Sequence, residues 1–175
     1  MTRIGLISDT HGHIDDRILH HLKDVDQIWH AGDIGTVEVS DTLDAFKPLV
    51  GVYGNIDGNE LRLIHPLEQY FELEGFTILM THIAGRPGRY SKGIPDLVRE
   101  RKPDILVCGH SHILKIMRDK QHNCLYINPG AAGLNGFHKM RTLVRFTLDN
   151  GKIENMEAIE LGLRSQFNED LKLDS

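Results

Sequence analysis

The stretch Ile4-Gly5-Leu6-Ile7-Ser8-Asp9-Thr10-His11-Gly12 decides how this chain is read. A compact apolar run passes directly into a carboxylate and an imidazole, the composition expected where an open α/β sheet builds a ligand site at the carboxyl end of a strand. On an extended backbone Asp9 and His11 point the same way. The step alone is weak, because both residue types are ordinary turn formers and caps. Repetition gives it weight. Gly32-Asp33 follows Gln27-Ile28-Trp29, and Gly54-Asn55 follows Leu49-Val50-Gly51-Val52-Tyr53. His82 follows Thr77-Ile78-Leu79-Met80, and Gly109-His110-Ser111-His112 follows Ile105-Leu106-Val107-Cys108. Asp9, His11, Asp33, Asn55, His82, His110 and His112 are therefore expected to converge.

Between these runs the pattern alternates. Ile18, Leu19 and Leu22 have helical spacing within Asp15 to Lys23, with Asp15 or Asp16 at its start. Asp26 to Ala31 reads as a second strand. Thr36 caps a helix to Lys47 with Val39, Leu43 and Phe46 on one face, and Pro48 ends it. From Gln69 the signal becomes antiparallel. Tyr70 to Leu73 and Phe76 to Met80 flank a Glu74-Gly75 turn, and Asp149-Asn150-Gly151 marks another hairpin. A helix from Ile94 to Lys102 precedes Pro103, and strands are expected at 113–117, 124–128, 141–148 and 153–159. Alternating units followed by antiparallel strands predict an α/β (α+β) domain, two sheets face to face with helices outside.

The chain has 175 residues and a net charge of −5. That length suits one domain, read as 1–162, with a loose polar tail over 163–175. No basic run offers a nucleic-acid footprint, and no segment reaches the ~18 apolar residues of a membrane span. The opening apolar stretch is too short for a signal peptide. Cys108 and Cys124 fall inside strands without metal-type spacing, so buried free thiols and a cytoplasmic location are expected. Segment 83–92, which carries Gly85, Pro87 and Gly88 together with Arg86 and Arg89, reads as a flap.

The donors are nitrogen and oxygen without thiolate, which suits Mn²⁺, Fe, Ni²⁺, Co²⁺ or Zn²⁺. Two such ions about 3.5–4 Å apart can lower the pKa of a hydroxide and clamp a phosphate during in-line attack. Taken in order, Asp9-Thr10-His11, Gly32-Asp33, Gly54-Asn55, His82 and Gly109-His110-Ser111-His112 resemble the calcineurin-like metallophosphoesterase signature. The Ser8 to Gly12 opening and the short length are most similar to its small bacterial and archaeal phosphodiesterase subgroup. The resemblance implies a four-layer α-β-β-α sandwich of two mixed sheets flanked by helices. It also implies that Asp9, His11 and His112 hold one divalent ion, that Asn55, His82 and His110 hold a second, and that Asp33 bridges them. Asp33, Asn55 and His82 then carry catalysis, with a metal-bridging hydroxide attacking phosphorus and Mn as the first choice of metal.

The implied substrate is a small phosphate diester. Alternatives are a phosphomonoesterase, a nucleotide pyrophosphatase, or a protein-binding scaffold such as the retromer subunit that shares this fold. Two departures stand out. Ile56 and Asp57 follow Asn55 where larger members place a histidine as general acid, and Ile83-Ala84-Gly85 replaces the common His-Gly step after His82. Arg86 and Arg89 suit a phosphate contact, although each alone is also an ordinary surface residue. Asp57 is read as structural, as are His30, His65, His122 and His138. Asn128-Pro129-Gly130-Ala131 resembles a turn of the small subgroup. Leu134, Phe137 and the edge strands are candidates for a homo-oligomer contact.

Overall fold

Ile4, Leu6 and Ile7 are fully buried and make β1 (Thr2–Ile7) the middle strand of a five-stranded sheet in this computed structural model, which describes residues 1–165. The chain then forms α1 (Asp16–Leu22), β2 (Gln27–His30), α2 (Val37–Phe46), β3 (Leu49–Gly51) and α3 (Asn59–Ile64). It continues through β4 (Glu68–Leu73), β5 (Phe76–Thr81), the short β6 (Gly85–Arg86) and β7 (Arg89–Tyr90), and α4 (Ile94–Arg101). It closes with β8 (Ile105–Val107), β9 (Leu114–Asp119), β10 (Cys124–Pro129), β11 (Met140–Asp149) and β12 (Lys152–Leu163). Sheet one has the order β12-β11-β1-β2-β3, sheet two the order β4-β5-β8-β10-β9. Both are mixed: Ile4 pairs parallel with Gln27 and antiparallel with Phe146, and Leu79 pairs parallel with Leu106.

Side-chain alternation builds the layers. Ile4, Leu6, Trp29, Val144 and Phe146 of sheet one meet Ile78, Met80, Ile105, Val107 and Ile127 of sheet two. Trp29 packs edge-on against Phe71 and Phe146, at 5.4 and 5.6 Å between ring centres. The opposite face of sheet one, through Ile7 and Ile28, packs on Ile18 and Leu22 of α1 and on Val39 and Leu43 of α2. The outer face of sheet two, through Leu79, Leu106 and Tyr126, packs on Ile94 and Val98 of α4. The result is the expected four-layer α-β-β-α sandwich. None of the described helices is long and apolar enough to cross a membrane.

Local chemistry sets the boundaries. Asp15 caps α1 by accepting from the Ile18 N–H, and Thr36 caps α2 by accepting from the Val39 N–H. Glu74-Gly75 and Asn150-Gly151 have positive φ at both positions, the condition for two-residue turns between twisted strands. Cys108 and Cys124 are buried free thiols. Three expectations differ. Helix α3 was unforeseen: six residues, no side-chain cap and one buried side chain, Leu61, leave no periodic signal. Phe46, placed on the buried face of α2, is 37% exposed. Strand β12 runs on to Leu163 because Leu163 pairs with Met140 across two register shifts, so the expected tail falls mostly on residues 166–175, outside the described ones.

His30 is fully buried beneath the loops that follow β1 and β2. Its Nδ1 accepts from the Gly32 N–H at 3.1 Å, so the proton sits on Nε2 and is donated to Thr10 Oγ1 at 2.9 Å. Burial pushes its pKa down from 6.5 to about 3. Between those values the unfolded chain binds a proton that the folded chain refuses, so native stability falls as pH drops through that window. Urea unfolding of wild type and His30→Gln between pH 6.5 and 4 is expected to show the wild-type slope steeper by about 1.4 kcal/mol per pH unit.

Candidate metal centre

The loops after β1 and β2 are laced together: the Asp9, His11 and Gly12 N–H groups donate to the Gly32, Asp33 and Ile34 carbonyls at 3.0, 3.0 and 2.8 Å. This pairing overturns the extended reading of Asp9-Thr10-His11, since Asp9 and His11 take φ of 54° and 47°. Asp33, His110 and His112 are also left-handed, at 54°, 68° and 58°. Such a conformation costs a non-glycine residue about 1–2 kcal/mol, and concentrating it on predicted ligands marks a site over-determined by its surroundings.

Asp9 is fully buried. Its Oδ2 accepts from Ser8 Oγ at 2.7 Å and from the His110 N–H at 3.1 Å, which joins sheet one to the loop after β8. Its Oδ1 lies 3.2 Å from His112 Nε2 and 3.8 Å from His11 Nε2. Asp33 Oδ1 accepts from the Ile56 N–H at 3.1 Å, and Oδ2 stands 3.5 Å from His11 Nε2 and 3.2 Å from His82 Nε2. The ligand atoms of Asp9, His11 and His112 lie within 4.8 Å of one another, and so do those of Asp33, His82 and His110. One edge-to-face imidazole pair belongs to each group, His11 with His112 and His82 with His110.

Three buried atoms of this cluster have no hydrogen-bond partner among the described residues: Asp9 Oδ1, His11 Nε2 and His82 Nε2. Leaving buried polar groups unpaired is costly. Coordination of cations satisfies all three, so the donor set fits divalent metal. Asn55 is exposed on the loop before α3 and lines a recess of about 370 Å³ shared with His82.

The imidazoles are held with the right nitrogen forward. His82 Nδ1 donates to the Ala31 carbonyl at 2.7 Å, leaving the Nε2 lone pair toward Asp33. His138 Nε2 donates to the Gly133 carbonyl at 3.0 Å, so its Nδ1 accepts from His112 Nδ1 at 3.2 Å and turns the His112 Nε2 lone pair toward Asp9. His138 was read as structural, and its role as the orienter of a ligand had no local signal. His30 and His65 have the structural roles expected, His65 through Ser40 Oγ at 2.7 Å.

Burial alone would raise the Asp33 carboxyl, but the His82 imidazole and the Ile56 N–H outweigh it and hold it below its usual value. Burial would lower His82, yet Asp33 and Asp9 keep it above. For His110, burial and the His82 charge both act downward. A metal ion taken up at His82 would therefore displace a proton and bind more weakly in acid.

Two glycines of the predicted motifs owe their place to close approach and not to backbone conformation. Neither Gly54 nor Gly109 has positive φ. A Cβ on Gly54 would lie 2.0 Å from Asp33 Oδ1, and one on Gly109 would lie 2.0 Å from Ser8 Oγ. They are small so that ligand-bearing loops can touch. Asp57 is structural as expected, accepting from the Ile34, Gly35 and Gly54 N–H groups at 3.1, 2.8 and 2.8 Å. Asn128 Nδ2 donates to the Gly109 carbonyl at 2.9 Å and to Ser111 Oγ at 3.1 Å, bracing the loop that carries His110 and His112. Arg86 and Arg89 sit on the β6-β7 ribbon, outside the donor cluster, beside a cleft that reaches His110.

A four-layer sandwich gathering two adjoining sets of carboxylate and imidazole donors at the carboxyl ends of its strands has the architecture of a metalloprotein. The calcineurin-like phosphoesterase superfamily domain matches residues 2–151, and the chain belongs to that superfamily. A relative from Mycoplasma pneumoniae named a probable metallophosphoesterase is 31% identical over 166 residues, covering 89% of this chain and 96% of its own. A solved archaeal phosphodiesterase has a TM-score of 0.71 at 20% identity, covering 90% of this chain and 99% of that one. Chaetomium thermophilum Vps29 has a TM-score of 0.74 at 16% identity, covering 91% and 97%. At these identities the two structures bear on the fold.

Replacing His138 with alanine frees the His112 ring, and metal affinity is expected to fall about 10–100-fold with little change in Tm. Gly109→Ala is expected to lose both metal and about 1–3 kcal/mol of stability. Elemental analysis and thermal unfolding separate the two outcomes.

Proposed function

We propose that this protein is a dinuclear metal-dependent phosphodiesterase acting on small phosphate esters. The observation that carries the reading is the position of Asp33 Oδ2, 3.5 Å from His11 Nε2 and 3.2 Å from His82 Nε2 and thus within reach of both donor groups. Asp9, His11 and His112 hold one ion, Asn55, His82 and His110 the other, and Asp33 joins them, with Mn²⁺ as the first expectation. Such an ion pair supplies a water of lowered pKa and charge neutralisation for the phosphate oxygens.

The chain contributes orientation and charge. Asp33 keeps its negative charge through His82 and the Ile56 N–H, while the Ala31 carbonyl and His138 fix the tautomers of His82 and His112. Asn55, beside His82, offers a neutral amide oxygen to the same ion. The position directly after it carries no titratable group, because Ile56 stands there with a half-exposed apolar side chain. Leaving-group protonation is therefore weak, and esters with acidic leaving groups are favoured. The archaeal phosphodiesterase likeness supports the diester preference. The two donor groups argue against a purely scaffolding role. The buried free thiols support a cytoplasmic location.

The first experiment is hydrolysis of bis(p-nitrophenyl) phosphate after chelation and after re-addition of Mn²⁺, Ni²⁺, Zn²⁺ or Mg²⁺. Turnover is expected only with metal and falls about 100-fold or more in Asp33→Asn. A folded protein inactive with every metal would sink the proposal. Across aryl diesters, the rate is expected to drop steeply as leaving-group pKa rises, and Ile56→His, by placing an acid there, is expected to flatten that slope.

A further inference from the structure

Next to His110 the flap and sheet two enclose a cleft of about 490 Å³. Its walls carry Arg86 and Arg89 from the ribbon, Lys115 from β9, and the apolar surfaces of Ile83, Ile113 and Tyr126. No acidic side chain lines it, although the chain as a whole has a net charge of −5. The volume lies within the range of pockets for small molecules and cofactors, about 300–1,000 Å³.

The ribbon is built in an unfavourable way for a free protein. Arg86 and Arg89 are direct partners in the antiparallel register, so both side chains leave the same face. Like charges placed opposite each other destabilise a strand pair, and neither arginine, nor Lys115, forms an ion pair among the described residues. The geometry is nevertheless firmly imposed. Pro87 and Gly88, the latter at φ 81°, make the two-residue turn. The Ser91 N–H donates to the Ala84 carbonyl at 2.9 Å, and Tyr126 Oη donates to the Gly85 carbonyl at 2.6 Å. Two exposed arginines that leave one face of an anchored ribbon without a counter-charge, in the wall of the cleft that reaches His110, are arranged for an anion. Ile83 and Ile113, 40% and 64% exposed, line the same cleft and offer apolar surface for a nucleoside-sized body.

We propose that this cleft is a second anion subsite, which selects phosphodiesters carrying another phosphate on a nucleoside-sized arm. The inference rests on the phosphodiesterase reading above and adds its substrate class. The reaction remains hydrolysis: the oxygen of water bonds to phosphorus, one ester P–O bond breaks, and the departing oxygen takes a proton originating from water.

The test compares the dinucleotide TpT with its 5′-phosphorylated form pTpT, in wild type and in Arg86→Gln/Arg89→Gln, with bis(p-nitrophenyl) phosphate as reference. Wild type is expected to favour pTpT in kcat/KM by about tenfold to a hundredfold, the range for charge-assisted contacts to a phosphate, and the double variant to bring the ratio near one. The ratio is internal to each protein, so a general loss of activity cancels. Tm of the double variant is expected to equal or exceed wild type, which a merely structural role for the arginines would reverse. A wild-type ratio near one, a ratio that survives in the double variant, or release of inorganic phosphate from pTpT as the main product overturns the subsite while leaving hydrolysis of the reference intact. If no substrate turns over with any metal, calorimetric binding decides: tighter binding of pTpT that the double variant loses keeps the subsite and rejects the hydrolase, and equal binding rejects both.

Discussion

Two buried carboxylates set the terms for the rest of the molecule. Asp9 and Asp33, 0% and 3% exposed, stand where the carboxyl ends of the two sheets meet, and each has one oxygen committed to backbone or hydroxyl donors and the other turned into the same space. An isolated ionised group is expensive to bury. His11 shares the loop of Asp9, three more imidazoles and an amide arrive from three other loops, and the uncommitted oxygens make sense as ligands shared with cations. The sandwich is the frame that delivers these side chains, since parallel strands of both sheets end at one edge.

What surrounds the carboxylates is organised to hold them still. Left-handed backbone at five of the predicted ligands, glycines whose only virtue is the absence of a Cβ, and a carboxylate at Asp57 that gathers three N–H groups all serve the approach of separate loops. His138 and Asn128 act one step further out, on the ring of His112 and on the loop between Gly109 and Ser111. The local conformational cost is offset by the packed sheets beneath, where Trp29, Phe146 and the aliphatic side chains of both sheets form a continuous interior.

The same fold occurs in an archaeal phosphodiesterase and in Vps29, and architecture alone does not choose the function. In this chain the choice rests with side chains: complete donor groups, tautomers fixed by hydrogen bonds, and a basic flap beside them. The flap was legible as a glycine- and arginine-rich segment. That its two arginines face each other across a two-residue turn was not, because register within so short a ribbon is set by the Pro87-Gly88 turn and by Tyr126 from a distant strand.

Much of the outline could be read from the chain itself. Apolar runs ending in Asp, His or Gly-Asx, the capping residues Asp15 and Thr36, and the turns Glu74-Gly75 and Asn150-Gly151 are local signals, and a local signal is what sequence carries. It therefore determined the sandwich, its principal strands and the ligand candidates. Tertiary structure decided what depends on contact between distant segments: the short helix α3 with its single buried leucine, the backbone twist of Asp9-Thr10-His11, the reason for Gly54 and Gly109, and the assignment of His138 to His112. Those features arise from atoms within a few ångströms of each other in space and tens of residues apart in the chain, where no periodicity or motif can register them.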